Sequence, residues 1–202
     1  AAGFAEKEVM VGDGERALPA TLAMPSGAGP FPAVVLVHGS GPQDRDETIG
    51  ANRPFLDIAR GLAAQGIAVL RYEKRTKVRP QDYAAGVDID TETTDDAVTA
   101  LATLRAQPDI DPERVFVIGH SQGGMMAPRI AMKDGKTAGL VLLAAPARNL
   151  LDILMEQNVR LRGMQGIQDT PEGIAHLDKL KTQIANVRGA GDAAVGAPMG
   201  LP

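Results

Sequence analysis

The chain alternates between short apolar runs and longer segments that are apolar on one side. Six runs have strand character, at residues 6–11, 18–24, 33–37, 67–70, 115–118 and 140–144. Five segments repeat apolar residues at helical spacing and predict helices, at residues 54–65, 94–105, 123–132, 150–162 and 171–187. From residue 33 to residue 144 strands and helices alternate. This order predicts an α/β fold with a mostly parallel sheet and helices on both faces.

The two ends of the chain depart from this alternation. The first two predicted strands flank Gly12-Asp13-Gly14, which predicts a hairpin. After Ala147 two helical segments follow without a strand between them, and residues 189–202 are rich in Gly, Ala and Pro. We therefore expect an α/β core over residues 1–147 and a helical lid or cap over residues 148–202.

The most informative motif follows the fifth predicted strand. Gly119-His120-Ser121-Gln122-Gly123 is a G-x-S-x-G pentapeptide between a buried strand and a helical segment. This order is the signature of a nucleophile elbow, a strained turn that projects a serine hydroxyl above a sheet. The alternative is a tight turn that happens to hold a serine. We expect Ser121 to be the catalytic nucleophile, with a φ angle outside the ordinary α and β regions.

A second motif follows the third strand. The apolar run 33–37 ends in His38-Gly39-Ser40-Gly41, a loop of small residues. In acyl-transfer hydrolases one oxyanion donor is the N–H after the nucleophile, and the other comes from a loop after an earlier strand. Gln122 and Ser40 occupy these positions, so we expect their backbone N–H groups to form an oxyanion hole. The alternative is that the glycines only turn the chain.

The composition of the chain excludes several classes of function. The formal net charge of −4 argues against nucleic acid as the partner, since phosphate binding needs a basic surface. No apolar run approaches the roughly 20 residues that span a bilayer. The chain has no cysteine, and no histidine or carboxylate cluster has the spacing of a metal site. We therefore expect a soluble protein without cofactor or metal, and the compartment stays open between cytoplasm and periplasm or secretion.

Together these motifs resemble the α/β-hydrolase superfamily. The residues that carry the resemblance are His38-Gly39-Ser40-Gly41, the segment 71–75 after the fourth strand, and 119–124. Within the superfamily the chain resembles bacterial serine esterases with a helical lid after the sixth strand. The resemblance implies an α/β-hydrolase fold and a carboxylesterase that acts on a small ester through an acyl-enzyme on Ser121.

The catalytic triad of this superfamily runs in the order Ser, Asp or Glu, His. The chain has three histidines, and none fits the role of base. His38 precedes Ser121, His120 lies inside the motif, and His176 falls in the second lid helix. Asp152 follows the sixth strand, where some relatives place the acid, but it also suits the first turn of a helix. We expect the acid and the histidine to lie beyond residue 202, in roughly a missing last third.

Several charged residues lie near these motifs. Asp44, Arg45 and Asp46 suggest an ion-pair network in a loop, and the basic residues of segment 71–79 suggest a solvated loop. Met125, Met126 and Met132 are expected in the core. The apolar sixth strand needs a neighbour on each side, so we expect further strands, from the same or a second polypeptide, to pair beside it. Residues 1–202 alone are then expected to be inactive.

Two other functions stay open on the sequence alone. The same motifs serve peptidases and thioesterases, because the leaving group is selected by pocket residues that the motifs do not include. A different class is an inactive fragment or a binding module on a hydrolase scaffold. Covalent labelling of Ser121 by a fluorophosphonate would distinguish the serine enzymes from an inactive fragment or a binding module.

Overall fold

A computed structural model describes residues 3–190 of the chain. Its centre is a six-stranded mixed sheet in the order β1-β2-β4-β3-β5-β6. The β1–β2 and β2–β4 pairs are antiparallel, and the other three pairs are parallel. The strands are β1 (Phe4–Val11), β2 (Leu18–Pro25), β3 (Phe31–Val37), β4 (Ala68–Tyr72), β5 (Ile110–His120) and β6 (Gly139–Leu143). The predicted fold class and the predicted β1–β2 hairpin are confirmed.

Within residues 3–190, six α-helices accompany these strands. They are α1 (Pro54–Ala63), α2 (Arg75–Val78), α3 (Asp95–Arg105), α4 (Gln122–Asp134), α5 (Leu150–Met164) and α6 (Pro171–Ala190). A π-helical turn, Asp90–Thr94, leads into α3. The predicted solvated loop over residues 71–79 is wrong, because it contains the end of β4 and the helix α2, and its first residues are buried. The predicted irregular segment 189–202 begins inside α6, and residues 191–202 lie outside the described part.

The core has one layer on each face of the sheet. Along β3, Val34 and Leu36 pack on the face covered by α1, together with Phe55. The alternate residues Val35 and Val37 face α3 and α4. This alternation follows from the two-residue period of a strand. It buries β3 on both faces, as its uninterrupted apolar sequence predicted.

The methionines of α4 divide between the core and the surface. Met126 is buried and Met125 packs against the core. Met132 is 84% exposed, so its predicted core position is wrong. Pro128 lies inside α4 on its exposed side, and the helix runs on to Asp134.

Chain connectivity singles out the carboxyl ends of β3 and β5. From β3 the chain passes through α1 on one face to β4, and from β4 it passes through α3 on the other face to β5. In the sheet β3 lies between β4 and β5. The chain therefore moves from β3 to one side and then crosses to the other side, so that the direction of the strand order reverses at β3. Ligands of open α/β sheets bind in the crevice at such a switch point. The loop that contains Ser40 and the turn that contains Ser121 both start there.

The chain divides into two compact units, residues 1–145 and residues 146–202. In the second unit α5 and α6 form an antiparallel helical hairpin, because Asp152 pairs with Arg188 and Asn158 pairs with His176. Leu180 and Ile184 are its buried apolar side chains. Among residues 3–190, no helix has the length and apolar character needed to cross a membrane.

Candidate active site

Ser121 lies on the turn between β5 and α4. It follows the last residue of β5, His120, and caps α4 with φ = 50° and ψ = −113°. A positive φ is rare for a residue with a side chain and persists only where the surroundings impose it. The backbone N–H of Ser121 is held by the Leu143 carbonyl at 2.9 Å. The order of strand, turn and helix and the unusual φ angle agree with the sequence-based expectation.

Close backbone contacts explain the glycines on either side of Ser121. A β-carbon on Gly119 would lie 2.3 Å from the Gly123 carbonyl oxygen. One on Gly123 would lie 2.2 Å from the Val37 oxygen, and one on Gly124 would lie 2.7 Å from Ala145 Cβ. Real β-carbons do not approach other atoms this closely, so only glycine fits the three positions. The start of α4 is thereby pressed against the carboxyl end of β3.

The loop after β3 reaches the same place. A β-carbon on Gly39 would lie 3.4 Å from Ser121 Cβ, so this loop touches the turn. The Ser40 N–H donates to no protein acceptor within residues 3–190, and Ser40 is exposed. Gln122 is the first residue of α4, and the first N–H groups of a helix have no partner inside it. The two predicted donors therefore lie on elements that contact each other beside Ser121.

None of the three histidines hydrogen-bonds the Ser121 hydroxyl within the described chain. The ring of His38 is buried, with its centroid 5.0 Å from that of Tyr72 and 5.5 Å from that of Phe55. Burial, and after it the charge of Lys74, lowers the pKa of His38 to about 3. His176 contacts Asn158 inside the helical hairpin. Asp152, which some relatives' positions suggested as the triad acid, lies in the first turn of α5 and pairs with Arg188.

The third histidine, His120, contacts a buried carboxylate. Its Nδ1 lies 2.9 Å from Glu47 Oε1, and the same oxygen accepts the Gly39 N–H at 2.7 Å. Glu47 has φ = 51° and is 1% exposed. It ties the loop after β3 to the residue before Ser121, a role that the sequence analysis missed.

A second buried charge lies beneath the loop. The ammonium of Lys74 donates to the Gly39 carbonyl at 2.9 Å, to Glu92 Oε1 at 2.7 Å and to Gln122 Oε1 at 3.3 Å. Gln122 Nε2 in turn donates to Glu92 Oε2 at 3.1 Å. The Lys74 side chain is 3% exposed. Lys74 belongs to the segment 71–79 that was predicted to be a solvated loop, and the sequence predicted no role for Glu92.

The charges of the loop after β3 form the predicted ion-pair network. Arg45 binds Glu8 and Glu73, and Arg71 binds Asp46 and Glu6. Hydrogen bonds from Arg45 and then Thr21 hold the pKa of Glu8 below its usual value. The ion pairs link the loop to β1 and β4, and a hydrogen bond from Arg45 to Thr21 links it to β2. They position the loop, and each carboxylate of this set is paired with an arginine.

Sequence comparison identifies the family of the chain. The sequence model of the "Alpha/beta hydrolase family" matches residues 34–196. These residues include the Ser40 loop, the Ser121 turn and both helices of the hairpin.

The chain belongs to the α/β-hydrolase family.

Among curated proteins, the chain is 44% identical over 178 residues to a protein of Thermotoga maritima named Esterase EstD. This alignment covers 88% of the chain and 41% of the relative. The chain thus spans about two fifths of the length of that curated relative.

Solved structures share the fold. A structure described as a bacterial heroin esterase aligns with a TM-score of 0.58 at 24% identity, over 77% of this chain and 49% of its own. A protein of Pseudomonas aeruginosa, described as hypothetical, aligns with a TM-score of 0.59 at 16% identity, over 96% and 56%. At these identities the likeness supports the α/β-hydrolase fold alone.

Proposed function

We propose that this chain is the nucleophile-bearing part of a serine hydrolase, a carboxylesterase that forms an acyl-enzyme on Ser121. The observation that carries the proposal is the position of Ser121. It lies at the switch point of the sheet with φ = 50°, beside a loop whose Ser40 N–H donates to no acceptor within residues 3–190. The 44% identity to a protein named an esterase favours ester substrates.

In the proposed reaction Ser121 Oγ attacks the ester carbonyl and transfers its proton to a base. The tetrahedral oxyanion accepts hydrogen bonds from the N–H groups of Ser40 and Gln122. Collapse of this intermediate expels the alcohol and leaves the acyl group on Ser121. Water then attacks the acyl-enzyme and releases the carboxylic acid. The chemistry needs no cofactor.

The base and its acid are proposed to come from sequence beyond residue 202. All three histidine rings in the chain point to other partners, namely the core around Phe55, Glu47 and Asn158. A serine hydroxyl is a weak nucleophile without a base. Further strands beside β6 are the proposed carriers of these two residues. The hairpin of α5 and α6 is proposed as a lid that shapes the acyl pocket.

The test is hydrolysis by the full-length protein. We expect it to hydrolyse p-nitrophenyl butyrate faster than a matched acyl-CoA or aminoacyl anilide. We expect Ser121→Ala to lower kcat by at least about 1000-fold with its fold intact, because the nucleophile is lost. Faster cleavage of the anilide or the thioester would replace the carboxylesterase with a peptidase or a thioesterase. Ester hydrolysis that survives Ser121→Ala would contradict the role of Ser121.

A further inference from the structure

Lys74 is a buried cation directly beneath the candidate site. It precedes α2, and its side chain is 3% exposed. Removing an ammonium group from water is costly unless its hydrogen bonds are replaced. Lys74 has three N–H donors and three protein acceptors, so each donor is used. The identity of those three acceptors indicates what this buried charge does.

The first acceptor fixes the direction of the Ser40 N–H. The Gly39 carbonyl and the Ser40 N–H belong to one peptide group, which is planar and, when trans, holds C=O and N–H in opposite directions. Lys74 Nζ binds this carbonyl at 2.9 Å, while Glu47 binds the Gly39 N–H at 2.7 Å. Gly39 is therefore held from both sides by buried charged groups. The Ser40 N–H, which has no acceptor in the described part of the chain, therefore points away from Lys74.

The second acceptor lies on the other half of the predicted oxyanion hole. Lys74 Nζ donates to the Gln122 side chain at 3.3 Å, and the backbone N–H of this same residue is the second predicted donor. Glu92 closes the arrangement by accepting from both Lys74 and Gln122. One ammonium thus connects the loop after β3 to the first residue of α4. Its hydrogen bonds thereby join the two elements that carry the predicted donors.

The charge of Lys74 also strengthens the donor that it orients. A cation at the carbonyl end of a peptide polarises the whole group, and hydrogen bonds in such a chain reinforce each other. The Ser40 N–H therefore becomes a better donor to a developing negative charge. Glu92 balances the charge of Lys74 in the resting site.

We propose that Lys74 is a positioning residue for the oxyanion hole, acting through the Gly39–Ser40 peptide and Gln122. It does not touch the substrate. This inference rests on the proposed function of Ser121, Ser40 and Gln122. Since it acts on the transition state, its loss should lower kcat and leave KM nearly unchanged.

The test uses Lys74→Met in the full-length protein, with Lys77→Met as the matched control. Lys77 lies on the same segment, but it is 43% exposed and has one long ion pair, 3.7 Å from Asp44. Loss of one oxyanion donor lowers kcat by about 100- to 1000-fold. For misplaced donors we expect Lys74→Met to lower kcat for p-nitrophenyl butyrate by about 10- to 100-fold, with KM within about threefold. Lys77→Met should match the wild type.

A boronic acid supplies a second readout, because its adduct with a serine carries the tetrahedral negative charge. Its inhibition constant should rise in Lys74→Met by the same factor as kcat falls. Lys74→Arg keeps the charge in a different geometry and should recover part of both losses. A folded Lys74→Met with wild-type kcat and boronate affinity would overturn the inference, as would a loss of thermal stability alone.

A second variant and a comparison with Ser121→Ala complete the test. If Lys74→Met does not fold, Gln122→Met removes one acceptor and keeps the backbone N–H, and it should lower kcat and boronate affinity in parallel. Unchanged values in that variant would overturn the inference. Failure of the proposed function is distinguishable, because hydrolysis would then survive Ser121→Ala, whereas failure of the Lys74 role leaves hydrolysis dependent on Ser121.

Discussion

At Gly123 a β-carbon would lie 2.2 Å from the carbonyl oxygen of Val37 and 2.5 Å from that of His38. Both neighbours are backbone atoms at the end of a buried strand, so they cannot move aside. Contacts of this kind make the G-x-S-x-G pattern readable in the sequence, because only glycine satisfies them. Lys74, Glu47 and Glu92 leave no such pattern, since their partners lie 8 to 73 positions away. Their roles emerge only once the chain is folded.

Gly123→Ala is expected to destabilise the full-length protein by about 3 kcal/mol, the upper part of the range for overpacked sites. The added methyl group must push α4 away from β3, so hydrolysis should fall as well. Gly189→Ala is the control, because a β-carbon there meets no atom of residues 3–190 within 4 Å. It should be neutral or stabilising by up to about 1 kcal/mol. Urea unfolding measures both, and equal midpoints for the two variants would contradict the steric argument.

His38 should make stability depend on pH. Burial, and next the charge of Lys74, lowers its pKa from 6.5 to about 3 in the folded chain. Between these values the unfolded state binds the proton and the folded state does not, so stability is lost as pH falls from about 6.5 towards 3. From pH 7 to pH 5 the loss attributable to His38 should be about 2 kcal/mol.

The variant His38→Gln removes this titration from the full-length protein. Urea unfolding at pH 7 and pH 5 should show that the variant loses about 2 kcal/mol less than the wild type over this interval. The comparison cancels the contributions of groups that titrate in both proteins. Parallel pH dependence in the two proteins would mean that His38 is protonated in the folded state.

At the scale of elements, apolar periodicity located all six strands and the longer helices, because burial requires it. It missed α2, which is short and mostly polar. It also missed residues 110–114 at the start of β5, because this part of the strand is mostly polar and has no apolar alternation. It also could not say which charged segments are buried. Arg71 and Lys74 are buried because Glu6, Asp46 and Glu92 come from other elements to meet them.

The edge strand β6 carries a prediction at this scale. Within residues 3–190 it pairs with β5 alone, and Val141 and Leu142 are 47% and 49% exposed. An apolar groove of about 370 Å³ runs beside it, lined by Ile58, Gly61, Leu62, Ile118, Val141 and Leu143. Exposed apolar edges of this kind are normally covered. We expect a further strand to pair with β6 in the full-length protein.

Hydrogen exchange tests this pairing. In a strand with one neighbour, alternate amides point away from it and exchange quickly. In the full-length protein the outward amides of β6 should exchange as slowly as its inward amides, which bond to β5. The inward amides thus provide the internal reference. Outward amides that exchange about 100-fold faster or more would show that the edge is bare.

At the scale of the whole molecule, the chain belongs to the α/β-hydrolase family and contains a six-stranded sheet with a switch point and a separate helical hairpin. The fold class follows from the alternation of strands and helices, and the family match over residues 34–196 agrees with it. The nucleophile and the oxyanion donors could be proposed from local motifs. The base and the acid could not, because no motif in this sequence marks a histidine as the base or a carboxylate as its acid.

Covalent labelling tests the role of Ser121 most directly. A fluorophosphonate reacts with a serine only where a base and an oxyanion hole activate it. Treatment of the full-length protein, followed by digestion and mass analysis, should find one phosphonylated peptide, with the added mass on Ser121. Ser121→Ala should remain unlabelled. A folded wild-type protein that takes up no label, or takes it up on a different serine, would contradict Ser121 as the nucleophile.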